Sequence, residues 1–402
     1  MKQDWEIKKL GDVCDIFNGL WKGKKPPFIE VGVIRNTNFT KEGCLDDSDI
    51  AYLPVEIKQY EKRKLEFGDI ILEKSGGGPK QPVGRVVLFG KKEGEFSFSN
   101  FTSTIRIINR KVLDFNYLHR FLFFEYISGK TESMQRQSTG IRNLQLKEYK
   151  EITVPLPSLP EQKRIVAILD KAFAAIAKAK ANAEQNLKNA KELFESYLQG
   201  VFEDKGEGWE EKALKEICEL KSGTTISPSL ERDCGDVLYT KVADMNLPEN
   251  LVEINTSSRF VNSDEIKQNQ IIPEGAIIFP KRGGAIATNK KRKIIKPTIV
   301  DLNTMAIIPG KKIEKDYFYH WFQLFDLNEI SNGANIPQIN NYSFDEIYVP
   351  YPVSLKEQKF IVKKLNALSA KTKKLEAIYQ KKIEDLEELK KSVLQKAFNG
   401  EL

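Results

Sequence analysis

The sequence predicts an α+β fold built twice: two globular domains related by pseudo-two-fold symmetry, each leading into a long helix, with the two helices paired as a coiled coil. Three observations predict it. The stretch Trp5-Glu6-Ile7-Lys8-Lys9-Leu10 with Cys14 and Gly19 returns as Trp209-Glu210-Glu211-Lys212-Ala213-Leu214 with Cys218 and Gly223. Val154-Pro155-Leu156-Pro157, followed by Glu161-Gln162-Lys163, returns as Val349-Pro350-Tyr351-Pro352, followed by Glu357-Gln358-Lys359. Beyond each junction lies a proline-free stretch whose apolar residues alternate steps of four and three, the seam of a coiled coil. The period of roughly 200 residues far exceeds the ~20–50 residues of solenoid arrays, so whole domains are duplicated. The boundaries that follow are 1–157 for the first domain, 158–204 for the central helix, 205–353 for the second domain and 354–402 for the C-terminal helix.

Within the first domain, Ile70-Ile71-Leu72, Val86-Val87-Leu88-Phe89 and Thr104-Ile105-Arg106-Ile107-Ile108 read as strands, separated by Gly, Pro and Asn clusters. An amphipathic helix is expected from Asp114 to Phe124. The second domain repeats the order with Ala276-Ile277-Ile278-Phe279, Ile294-Ile295, Met305-Ala306-Ile307-Ile308 and a helix from about Asp316. The only histidines, His119 and His320, fall at equivalent places in these helices beside aromatics, and helix packing is the expectation for both. Pro155, Pro157 and Pro160 before the first long helix, and Pro350 and Pro352 before the second, stiffen the chain where it enters each helix. The seams run through Ile165, Leu169, Ile176 and Leu187, and through Ile361, Leu365, Leu375 and Ile383. Both take two successive steps of four at matching places, which locally unwinds a supercoil and keeps a pair in register. Each helix would be about 60 Å long at 1.5 Å per residue, ending in C-caps near Gly200 and Gly400.

The 402 residues are 41% hydrophobic and 30% charged, enough apolar content for real cores, with a net charge of +7 that suits nucleic acid or another anionic partner. The N-terminus has no apolar run and no stretch approaches the ~20 apolar residues of a membrane span, so a cytoplasmic protein with no membrane partner is expected. Cys14 and Cys218 occupy matching apolar positions, which predicts buried thiols rather than a disulfide. Neither a CxxC spacing nor a His cluster appears, and no metal site is expected.

Catalytic motifs fail on inspection. Lys25-Pro26-Pro27-Phe28 has the prolines and aromatic of an adenine-methyltransferase loop, but Lys25 only donates hydrogen bonds where the chemistry needs an Asn amide. Gly19 to Lys25 is one residue short of a phosphate-binding loop and lacks the hydroxyl that ligates Mg²⁺. Asp69 and Glu73-Lys74 have a nuclease flavour, but Ala276 and Pro280-Lys281 stand there in the second half; a solvated strand edge is the expectation. No catalytic residues are therefore assigned. Two basic, glycine-rich loops carry more information: Lys74 to Arg85, and Lys281 to Lys293. Glycine lets a backbone approach a phosphate, and Lys or Arg neutralises it. The segments 135–145 and 331–341 add Arg, Asn and Gln, whose side chains suit base edges. The candidate nucleic-acid contacts are Lys74, Ser75, Lys80, Arg85, Arg136, Arg142 and Asn143 in the first half, with Arg85 and Arg142 foremost, and Lys281, Arg282, Lys290, Arg292, Asn335 and Gln338 in the second. The loops differ while their frames agree, as two unlike half-sites would require.

With both junctions, both Trp-to-Gly domain starts and the helix end Val393-Leu394-Gln395-Lys396-Ala397-Phe398-Asn399-Gly400 in view, the whole chain resembles the specificity subunit of a type I restriction-modification enzyme. Tyr351 inside the second proline pair, and Lys356 where the first copy has Pro160, are small departures. The resemblance implies two target-recognition domains, each reading half of a split double-stranded DNA site, separated by two antiparallel helices that set the gap. It implies two methyltransferase subunits bringing S-adenosylmethionine and two restriction subunits using ATP and Mg²⁺. This chain would then be non-catalytic and bind no cofactor itself. Two alternatives remain open at this point: a coiled-coil scaffold whose two heads do not act on nucleic acid, and a stand-alone DNA-modifying enzyme.

Overall fold

The computed structural model describes residues 5–20, 23–78, 81–138, 140–333 and 335–402. They fall into two compact units, one of Met1–Glu184 with Gln380–Leu402, the other of Gln185–Tyr379. Each unit therefore holds a piece of both long helices.

The first unit starts with β1 (Glu6–Lys9), which pairs antiparallel with the proline-bearing strand that closes the domain, Thr153–Leu156. Its central sheet contains β2 (Cys14–Asn18), flanked by the strand Thr102–Ile107, then Ile70–Glu73, then Val86–Leu88, all antiparallel. Ile70–Glu73, Val86–Leu88 and Thr102–Ile107 are the runs the sequence marks as strands, within a residue or two, whereas Cys14–Asn18 went unmarked. Alternate residues Ile70 and Leu72 join Leu10, Cys14, Ile105, Tyr117 and Leu118 in the main core, while Ile71 and Val87 face a second one with Ile34, Phe89 and Phe98, the two-sided burial expected of period-two side chains. The helix α1 (Phe115–Ile127) lies against this sheet. Asp114 caps it, accepting from the N–H groups of Asn116 and Tyr117.

The second unit repeats the plan. The strands Trp209–Ala213 and Tyr348–Pro352 pair antiparallel. A sheet orders Cys218–Ser222, Thr304–Pro309, Ile277–Pro280, Arg292–Ile294 and Glu253–Ile254. The shorter helix Lys315–Leu324 is capped by Glu314.

The long helices span Leu159–Glu203 and Leu355–Asn399, 45 residues each. Within the first unit, Ile165 and Leu169 near the start of one share a core with Leu394, Ala397 and Phe398 near the end of the other. Arg164 donates to the Leu402 carbonyl at 2.6 Å and Lys180 pairs with Glu387 at 2.5 Å, so the two run antiparallel. In the second unit Leu198 and Phe202 share a core with Val362 and Leu365.

The helix start is bolted to its domain in the same way in both units. Gln162 accepts from the Asp114 N–H and donates to the carbonyls of Val112 and Pro157, each at 2.8 Å. Gln358 accepts from the Glu314 N–H at 2.7 Å and donates to Lys312 and Pro352 carbonyls at 3.1 and 2.8 Å. Both glutamines are fully buried. The hydroxyls of Tyr117 and Tyr317 donate to the carbonyls of Pro155 and Pro350, each at 2.9 Å. Each tyrosine ring then meets the helix end of the other repeat: Phe398 lies 5.5 Å from Tyr117, and Phe202 lies 5.2 Å from Tyr317.

Two sequence expectations fail in the long helices. Gly200 is not a C-cap; the helix runs through it to Glu203. Burial of Phe202 outweighs the ~1 kcal/mol penalty of a helical glycine, whereas Gly400 at φ +76° does terminate its helix. Leu375 is 38% exposed although the seam positions on either side of it, Thr372 and Tyr379, are buried and half-buried. The other seam residues are buried or half-buried.

Candidate nucleic-acid interface

The two first-half loops, separate in sequence, come together as one small sheet. Ser75–Gly77 pairs with Ile141–Leu144, which pairs with Gln135–Ser138. Lys74, Ser75, Arg136, Arg142 and Asn143 are thereby brought to one place. The Lys74 and Ser75 N–H groups both donate to the Phe101 carbonyl, at 3.0 and 3.1 Å, and the Lys74 carbonyl accepts from Leu144 N–H at 2.8 Å. Ser75 Oγ lies 2.6 Å from Asn143 Oδ1. Arg136 is exposed and Arg142 half-buried, opposite Gln137 and Gly77. Lys80 lies outside the described residues, as do Trp21 and Lys22 of the Gly19–Lys25 segment.

The second-half loops meet by a matching pattern. Lys281 N–H donates to the Asn303 carbonyl at 2.8 Å, its carbonyl accepts from Ile339 N–H at 2.9 Å, and Gly283 N–H donates to Pro337 at 2.8 Å. Arg282 bridges Gln338. Arg282 and Asn335 are exposed. The strongest correspondence is between Lys74 and Lys281. Lys74 Nζ donates to Asn18 Oδ1 and Lys281 Nζ to Ser222 Oγ, both at 2.9 Å. Asn18 and Ser222 each precede the repeated glycine, Gly19 or Gly223. Burial lowers both ammonium pKa values from their usual range, and the Arg282 charge adds to the effect at Lys281. Each unit thus presents a half-buried cation, fixed at one end by backbone and at the other, among the described residues, by a neutral acceptor.

Other candidates are committed elsewhere. Arg85 grips Glu73 through two 2.8 Å bonds and donates to the Phe39 and Asn36 carbonyls at 3.0 and 3.1 Å. Its side chain is 13% exposed and that of Glu73 2%. This inward fork closes the base of the Lys74 loop, so Arg85 supports the loop rather than reaching beyond it. Asp69 is fully buried and held by Arg106 at 2.9 and 2.7 Å. The two acids are therefore not a solvated edge: each neutralises an arginine. Lys290 donates to Asn246. Arg292 donates to the carbonyls of Lys291 and Met245 and lines a cleft with His320, Asn366 and Thr372, so neither joins Lys281 and Gln338. Sequence reading missed Lys291, buried with its ammonium on the Phe325 carbonyl and over the Phe322 ring, where it satisfies the end of helix Lys315–Leu324.

Among the described residues there is no group of three or more His, Cys, Asp or Glu placed to hold a metal, and no helix long and apolar enough to cross a membrane. His119 is buried with its pKa lowered to about 4 by burial and by Arg120; His320 Nε2 meets Asn366 Oδ1 at 2.8 Å. Cys14 and Cys218 are buried thiols pushed up to about 12, foremost by burial.

The family described as type I restriction modification DNA specificity domain matches residues 2–188 and 206–385. The MjaVIII type I restriction enzyme specificity subunit of Methanocaldococcus jannaschii is 25% identical, over 100% of this chain and 93% of that protein. The EcoKI specificity subunit of Escherichia coli K12 is 22% identical, over 100% and 90%. A chain from a solved type I R-M system superposes with a TM-score of 0.82 at 18% identity, covering 100% of this chain and 99% of that one. The HsdS subunit from Thermoanaerobacter tengcongensis gives 0.64 at 18% identity, covering 100% and 98%.

Proposed function

The chain belongs to the type I restriction modification DNA specificity family; it is a DNA target-recognition subunit, and we propose that each of its units reads one half of a bipartite double-stranded site. The observation that carries this reading is the matched pair Lys74 and Lys281, each tethered alike, amid loops of unlike sequence. A fixed cation suits the phosphate backbone, which is the same in every sequence; the variable side chains around it suit base edges, which are not. In the first unit these are Arg136, Arg142, Asn143 and Ser75; in the second, Arg282, Gln338 and Asn335.

The chain acts in complexes with DNA and with modification and restriction subunits. Its own share is recognition without catalysis. Two modification subunits would supply S-adenosylmethionine and the adenine-methylating centre, docking near the outward faces of the long helices, and two restriction subunits would supply ATP- and Mg²⁺-dependent cleavage, all in the cytoplasm. The acids that could have held a metal are neutralised by arginines, which supports a non-catalytic role. Mapping methylated adenines in host DNA tests the proposal: a motif of two specified halves with a constant spacer is expected. DNA turnover by the purified chain alone, or DNA binding insensitive to salt, would overturn it.

A further inference from the structure

The four-residue turns Ser99–Thr102 and Asp301–Thr304 occupy the same place in their units. Thr102 N–H donates to the Ser99 carbonyl and Thr304 N–H to the Asp301 carbonyl, each at 3.0 Å. Ser99 N–H is held by Ile34 at 2.9 Å and Asp301 N–H by Thr240 at 3.1 Å. Gly19 and Gly223 pass so close that a Cβ on either would stand 1.8 Å from the Ser99 or Asp301 carbonyl oxygen. The third residue of each turn is pinned by the anchoring lysine, whose N–H donates to the carbonyl of Phe101 or Asn303. The two backbones are thus clamped identically.

Between the clamps the side chains differ in a specific way. The first turn carries Asn100-Phe101 and the second Leu302-Asn303, an amide and a large apolar group in opposite order. Phe101 is 45% exposed and Leu302 47%, and both asparagines are exposed. Neither core uses these side chains, and one exposed apolar group would need no explanation. Two, on rigid turns touching the cationic anchors, do. We propose that these turn tips are base-reading positions, with Phe101 and Leu302 contacting apolar base edges such as the thymine methyl, and Asn100 and Asn303 hydrogen-bonding a base edge, adenine above all. The swapped order places the two chemistries at different steps along the DNA, so one backbone specifies two different half-sites. Phosphate is the wrong partner for these tips: neither carries a cation, and the Asp301 carboxylate, which accepts from Thr304 Oγ1 at 2.7 Å and Asn303 Nδ2 at 3.0 Å, repels one.

The inference rests on the reading of the chain as a DNA specificity subunit, and the test separates the two. The full chain is expressed with the modification subunits of its own host, and methylated adenines are mapped for wild type, Phe101→Ala, Phe101→Leu and Asn303→Ala. Binding of each complex to every single-base variant of the motif is measured alongside. Phe101→Ala relaxes one or two positions in one half only, with discrimination there falling on the order of ten- to a hundredfold; Phe101→Leu retains more of it; Asn303→Ala relaxes the other half only. Unchanged base preferences in the variants, or a uniform loss of binding across all base variants, would overturn the turn tips as readers while leaving the family function intact. A wild-type complex that marks no bipartite motif would instead overturn the function itself.

Discussion

Replacing Gln162 with Ala removes one amide and strands three backbone groups. The Pro157 carbonyl loses a fully buried bond, and the Val112 carbonyl and Asp114 N–H lose partly buried ones. A buried polar group left without a partner costs about 1–3 kcal/mol, and a partly solvated one less. The summed loss is about 3 kcal/mol, far more than the few tenths that Ala regains from its higher helix propensity. Gln358→Ala should cost a similar amount, since its three bonds have the same pattern. The two glutamines share no partner, so their effects should add. Urea unfolding followed by circular dichroism measures each single variant and the double. A loss below about 0.5 kcal/mol for either single variant, with the helix content unchanged, would mean that the amide does not hold the helix start and that the repeated Glu-Gln-Lys motif serves something else.

Three further outcomes are expected. Glu73→Ala leaves the Arg85 guanidinium without its carboxylate in a mostly buried site and should destabilise by about 3 kcal/mol, seen in the same unfolding assay. Lys74→Ala and Lys281→Ala, assayed as the partner-bound complex, should each reduce the dependence of log affinity on log salt by about 0.9 if each neutralises one phosphate; slopes equal to wild type would deny them that contact. Burial holds the His119 pKa at about 4 in the folded chain, against ~6.5 unfolded. A depressed folded value means that its contribution is complete above pH ~6.5 and is lost as pH falls towards 4, up to about 3 kcal/mol in all. His119→Leu should flatten that part of the stability profile, measured by urea titration at stepped pH, while an unaltered profile would show that the imidazole is not buried neutral.

What the sequence disclosed and what it hid have different physical origins. The strands around Ile70, Val86, Thr104 and Ile277 were legible because burial imposes a local period on apolar residues. Asp114 was visible as the start of a helix for the same kind of local reason. The repeat itself exposed Gly19 and Gly223, whose meaning is steric: each lies against a carbonyl where no Cβ fits. The sheet that unites the Lys74 loop with residues 135–144 was not legible, because its pairing is long-range and its strands are short and polar. Arg85 misled for a related reason. A basic residue in a glycine-rich loop looks like a phosphate contact until its carboxylate, twelve residues back, is found beside it. Gly200 misled through false symmetry: aligned by the Glu-Gln-Lys motifs, it matches Lys396 and not Gly400, and Phe202 matches Phe398.

That last correspondence bears on how such a chain can diversify. Phe398 meets Tyr117 and Phe121 edge to face and stacks on Phe124, at 5.2 to 5.7 Å, and Phe202 meets Tyr317 edge to face. The core of each unit is therefore completed by the helix end of the other repeat, and truncating such a ring typically costs about 3–5 kcal/mol. A substitution at this latch is felt as stability, whichever DNA sequence is being read. The exposed residues of the turn tips and of the loops around Lys74 and Lys281 are less constrained: the backbone beneath them is clamped largely by main-chain bonds that do not depend on those side chains, the glycines and the buried Arg85–Glu73 fork apart. Exposed residues on that frame can be exchanged at a cost usually within about 0.5 kcal/mol, yet each exchange at a base edge is worth a factor of ten or more in discrimination. On the proposed reading, the separation of a costly, symmetric latch from cheap, asymmetric tips lets one duplicated scaffold acquire two unrelated half-site specificities.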